Sequence, residues 1–75
     1  MQPTLKHFIL RHQALALYRF AIRAARHIPD PSSRKETVLW IRGEFERNRG
    51  VQDVGRIEDL ISSGRREIKQ ILPYR

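Results

Sequence analysis

Arg42, Phe45 and Arg49 form the pattern with the clearest chemical consequence in this 75-residue chain. On a helix, two guanidinium groups about two turns apart would border one aromatic ring on the same side. A second set lies upstream, where Arg11 precedes Tyr18-Arg19 by about two turns. Guanidinium groups make forked, bidentate contacts with carboxylates and phosphates that an ammonium group does not reproduce. Arginine supplies most of the 15 basic residues, against 8 acidic ones, for a net charge of +7. The partner suited to such a chain is anionic: an acidic protein, a phosphate-bearing group or nucleic acid.

Catalytic patterns are weak by comparison. Glu44 and Glu46 make no convincing acid–base pair, and no Ser/His/Asp set has useful spacing. Without cysteine there is no disulfide framework, thiolate nucleophile or Cys-based metal site. His7, His12 and His27 have no metal-ligand arrangement. The expected function is therefore binding without catalysis and without a metal.

Those residues must be positioned by helices. Thr4 is a plausible N-cap for a first helix running to about His27, where Pro29-Asp30-Pro31-Ser32 interrupts the pattern. Ser33-Arg34-Lys35-Glu36 has capping-box spacing, which predicts a second helix over about 34–48. A third fits about 53–72, before Pro73. Nothing alternates like a strand and no repeat is present, so the chain reads as one all-α domain over residues 1–75.

On a wheel of about 100° per residue, Leu10, Leu17, Ala21, Ala24 and Ile28 share one stripe of the first helix. Ala14, Tyr18 and Ala25 flank it, while His12, Arg19, Arg23 and Arg26 lie opposite. Leu5, Phe8, Ile9, Leu15 and Ala16 carry apolar surface round toward that basic side. So small a domain cannot bury it all, and a partner is expected over part of it. The alanines of the inner stripe permit either close helix approach or a groove that an apolar ligand fills. In the second helix Val38, Ile41 and Phe45 form the core stripe. Trp40 and Leu39 lie off it, Trp40 against another helix or as an exposed anchor. The third helix presents Ile57, Leu60, Ile61, Gly64, Ile68, Ile71 and Leu72, with Gly64 expected at a helix crossing or at a place where something passes.

No apolar run approaches the roughly 20 residues needed to span a bilayer. The N-terminus lacks the order of a secretory signal, and its first acidic residue is Asp30, after Lys6 and four arginines. That composition matches a mitochondrial import signal. It is read first as the first helix of the domain, and the two readings coexist if the segment is not cleaved.

Several of these residues also carry a resemblance. Leu5-Lys6-x-Phe8, Leu17-Tyr18-Arg19, Pro29 followed by Arg34-Lys35, Trp40-x-Arg42-x-Glu44-Phe45-x-Arg47-Asn48 and Gly64 resemble the LYR-motif family of small mitochondrial adaptors over Leu5 to about Leu72. The resemblance implies an antiparallel three-helix bundle on the matrix side of the mitochondrion. It implies a non-catalytic adaptor that binds the mitochondrial acyl carrier protein. The carrier supplies an acylated 4′-phosphopantetheine whose chain enters between the helices. By position, Arg11, Tyr18, Arg19, Arg42 and Arg49 would bind the carrier, and Leu17, Ala21, Phe45 and Gly64 would line the acyl tunnel. The assembly it implies is first respiratory complex I or its assembly, with the iron–sulfur machinery and the mitochondrial ribosome as other settings. Charge alone leaves a second reading open: a small basic mitochondrial ribosomal protein or assembly factor contacting rRNA phosphates, with Trp40 and Tyr74 as aromatics.

Overall fold

The computed structural model describes residues 3–71, without the side chain of Ile71. Leu72, Pro73 and Tyr74, invoked above for the end of the third helix and for RNA contacts, lie outside the described residues, as does any part for Ile71 in the core. The described chain forms α1 (Leu5–Ala25), α2 (Pro31–Arg47) and α3 (Val54–Ile71), an all-α three-helix bundle as expected.

Thr4 caps α1 as its sequence position predicted, in a capping box that uses histidine instead of a carboxylate or amide side chain. The Thr4 hydroxyl oxygen accepts from the His7 backbone N–H at 3.3 Å, and the Thr4 backbone N–H donates to His7 Nδ1 at 3.1 Å. His7 Nε2 then reaches the carbonyl of Gln52 at 2.6 Å, between α2 and α3. A backbone N–H can only donate and a carbonyl can only accept. The pair therefore fixes the tautomer, with Nδ1 bare and the proton on Nε2. One imidazole satisfies an orphan donor at the start of α1 and ties it to the turn before α3.

The end of α1 and the start of α2 differ from the sequence expectation. Regular α-helix stops at Ala25, with Arg26 as C-cap. His27 and Ile28 continue only as a tightened turn, bonding to the carbonyls of Ala24 and Ala25. Helix α2 begins at Pro31, three residues before the expected start, and its N-cap is Asp30, not Ser33. The Asp30 carboxylate accepts from the Ser33 N–H at 2.8 Å. Pro31, with its φ already set and no N–H to satisfy, suits the first helical position. Arg34 donates to the Ile28 carbonyl at 3.0 Å and fastens the new helix to the end of the old one. Asp53 caps α3 in the same way, accepting from the Arg56 N–H at 2.8 Å.

The core is small and centred on α1. Leu10, Leu17, Ala21, Ala24 and Ala25 are buried with Ile41 of α2 and with Ile61 and Ile68 of α3. The inner stripe is thus where the wheel placed it, with Val38, Phe45 and Ile57 half-buried around it. This core is built on α1, so the acid-free N-terminal segment carries most of the buried residues. Both α2 and α3 pack on α1, but among the described residues they make no close approach to each other. The bundle is open along that side. None of the described helices is long and apolar enough to cross a membrane.

Candidate functional site

Where α2 and α3 part, a groove of about 120 Å³ remains. Trp40, Ile41 and Phe45 of α2 form one wall, Leu60, Gly64 and Ile68 of α3 form the other, and Leu17 of α1 is the floor. Glu44, Asn48, Ser63 and Glu67 supply its polar atoms. An apolar floor with polar groups along the edges suits a ligand that is hydrocarbon in the interior and hydrated at its exit.

Of the residues expected at an acyl tunnel, Leu17, Phe45 and Gly64 line this groove and Ala21 does not. Ala21 is fully buried in the core. A Cβ added to Gly64 would stand 3.2 Å from Leu17 Cδ2. Gly64 therefore marks a close crossing of α3 over α1, and the same missing side chain leaves part of the groove open. Trp40 borders the groove and is 40% exposed.

The expected anion-binding residues lie round the other flank. On α2, Trp40 and Arg42 stand about 100° to either side of Ile41, so Arg42 points away from the groove. On α1, Arg11 and Tyr18 fall on nearly the same flank, about two turns apart. The Tyr18 ring meets the Phe45 ring edge to face, centroids 5.1 Å apart at 74°. Phe45 is thus the partition: it lines the groove and meets Tyr18 across the α1–α2 seam, with Arg11 on the Tyr18 flank of α1 and Arg42 one turn before Phe45 on α2. Arg49 lies just past the end of α2, exposed and 3.4 Å from Glu46 Oε1. Arg19 is not brought to this seam; it lies about 100° further round α1 from Tyr18, on the exposed outer surface.

Arg11 and Arg42 have no ion-pair partner among the described residues, whereas Arg47 is paired with Glu44 within α2. Asp30 is held below its ordinary value. Its N-cap hydrogen bonds from the backbone and side chain of Ser33 lower it, with help from the positive charge of Arg34. This carboxylate serves the helix and not the groove.

The sequence expectation missed Trp40, Leu60, Ser63 and Glu67 as groove residues. A signal was present: Trp40 and Glu44, like Leu60 and Gly64, are four apart and share a helix face. What one helix does not reveal is which neighbour that face opens toward.

Comparison with known proteins adds a family-level result. Residues 12–70 match the family described as Complex 1 protein (LYR family). The chain is 41% identical over 68 residues to LYR motif-containing protein 2 of Xenopus laevis, covering 91% of this chain and 78% of that protein. It is 40% identical to the Mus musculus protein of the same name and 37% identical to that of Homo sapiens, each over 91% of this chain and 77% of the relative. No solved structure gives a significant match.

Proposed function

The chain belongs to the LYR family, and from that premise we propose that it is a non-catalytic mitochondrial adaptor binding an acylated acyl carrier protein in the matrix. The observation that carries this reading is the partition at Phe45, with an arginine-bearing seam on one side and an apolar groove on the other. Arg11, Arg42 and Arg49 meet the carrier's acidic surface, Tyr18 lies beneath it, and Arg19 stands at the rim of its footprint. The phosphopantetheine group supplies a flexible arm ending in hydrocarbon. Leu17, Phe45, Gly64 and the walls around them shelter that hydrocarbon from water, at about 0.8 kcal/mol for each CH₂ buried. The adaptor then joins the carrier to a larger assembly, respiratory complex I or its assembly in the first instance.

Reversing Arg42 and Arg49 together to glutamate tests this reading. Carrier binding is expected to be lost while circular dichroism still reports the helices; unchanged affinity at moderate salt would overturn the interface. Intact mass of the co-purified partner separates the rRNA alternative. A carrier bearing an acyl chain supports the adaptor, and RNA without a carrier does not.

A further inference from the structure

The face of α1 that points away from α2 and α3 is divided along its length, not across it. Leu5, Phe8 and Ile9 are 75%, 59% and 43% exposed, and Leu15 on the same side is 44% exposed. The Phe8 ring is held by His12, edge to face with centroids 4.7 Å apart. One to two turns further on, the face becomes Arg19, Arg23 and Arg26, all exposed and without an ion-pair partner among the described residues. No carboxylate occurs anywhere on α1. At about 1.5 Å per residue, an apolar stretch of roughly 15 Å gives way to a basic stretch of roughly 10 Å.

That end-to-end division distinguishes two kinds of cover. A helix lying on a membrane carries its apolar and basic stripes side by side, so that one sinks while the other meets headgroups. Here a helix laid flat with Leu5 and Ile9 in the acyl region would drive Arg23, on the same line, in after them. A second helix alongside α1 meets no such conflict. It need only place apolar side chains beside Leu5, Phe8 and Ile9 and carboxylates beside the arginines. Arg19 and Arg23 are four apart and Arg23 and Arg26 three apart, so Asp or Glu pairs at the same spacing on a partner helix would face them.

The geometry points to this outer face of α1 as a docking surface for an acidic amphipathic helix of another protein. The inference rests on the reading of the chain as an adaptor and gives its second contact a place. The groove lies elsewhere around the bundle, and the α1–α2 seam adjoins this face along Arg11 and Arg19, so the carrier and this helix take neighbouring footprints. Arg19 marks the border between the two footprints.

A photoreactive phenylalanine analogue at position 8 of the full chain, expressed in cells, tests the proposal. The expected cross-link lies in a helical protein segment with apolar residues and, one to two turns along, Asp or Glu three or four apart. Arg23→Glu with Arg26→Glu is expected to cut the yield by at least about tenfold. Lysines in place of the partner's carboxylates should then restore it. Cross-links to lipid alone, to the carrier alone, or to a segment without carboxylates overturn the inference, as does no cross-link or a yield unmoved by charge reversal. Carrier co-purification in the same samples keeps the two readings apart. Carrier retained with the cross-link absent sinks only the outer face, and carrier absent with the cross-link retained sinks only the carrier interface.

Discussion

Leu17 Cδ2 lies 3.2 Å from the position a Cβ on Gly64 would take, so α1 and α3 cross where one of them has no side chain. Gly43 is its contrast, because a Cβ there would meet only the far end of the flexible Arg47 side chain, at 3.5 Å. Gly43→Ala is therefore expected to stabilise the chain by about 0.5–1 kcal/mol through helix propensity. Gly64→Ala gains the same propensity but presses on Leu17, and its net effect is expected near zero. A larger side chain, as in Gly64→Leu, overpacks the crossing at a cost of about 1–3 kcal/mol and fills the groove. Thermal unfolding of the three variants checks the order.

Truncating the floor should act in the opposite sense. Leu17 is buried, and Leu17→Ala is expected to cost about 2–5 kcal/mol. Under the carrier reading, an acylated carrier restores more of this variant's stability than an unacylated one, since the chain occupies part of the vacated space. Equal restoration by both would show that the hydrocarbon does not reach Leu17.

The Tyr18–Phe45 pair predicts coupling. In a double-mutant cycle with Tyr18→Leu and Phe45→Leu, the interaction energy is expected at about 0.5–1.5 kcal/mol beyond the loss of area. Additive single effects would mean that the rings merely sit close.

How far these relationships were legible beforehand depends on whether one helix or two were needed to see them. Leu10, Leu17, Ala21 and Ala24 were readable as core because a single wheel defines one inward stripe. Thr4 was readable as a cap because its signal is local. The start of α2 was misplaced because two local signals competed, and Pro29-Asp30-Pro31 reads as a stop as easily as a start. Asp30 prevails because its carboxylate reaches the Ser33 N–H with Pro31 already in helical φ. The separation of groove from seam was not legible. Trp40 and Arg42 are both simply off the stripe of Ile41, and only the placement of α1 and α3 gives the two sides different neighbours.

Asp30 gives the acid limb of stability a defined contributor. Its carboxyl is held below the ordinary aspartate value in the folded chain, chiefly by the Ser33 backbone N–H. The folded chain therefore gives up this proton more readily than the unfolded chain does. The contribution is full above the unfolded value of about 3.9 and is lost as pH falls through the depressed folded value. Asp30→Asn keeps an N-cap acceptor but no charge. It should leave stability near neutrality little changed and flatten the fall below about pH 4, which thermal melts across pH 2.5–7 would show.

Charge screening separates the arginines by location. If Arg11, Arg42 and Arg49 meet an acidic carrier, affinity falls as the Debye length shrinks from about 10 Å at 0.1 M salt to about 3 Å at 1 M. Arg47→Gln is the control. Arg47 is already paired with Glu44 and lies well round α2 from Arg42, so binding should hold. Equal loss from Arg47→Gln and Arg42→Gln would mean that net charge matters and the seam does not.

Among the described residues α2 and α3 each rest on α1 and not on each other, which gives two internal interfaces where a closed triangle of helices would have three. Either outer helix can swing or fray by giving up a single interface, with the other left in register. Backbone amides of α1 should accordingly be the last to exchange with solvent, and those of α2 and α3 should open as separate units. A filler lying between the outer helices supplies the missing third interface, and in doing so turns two independent motions into one cooperative body.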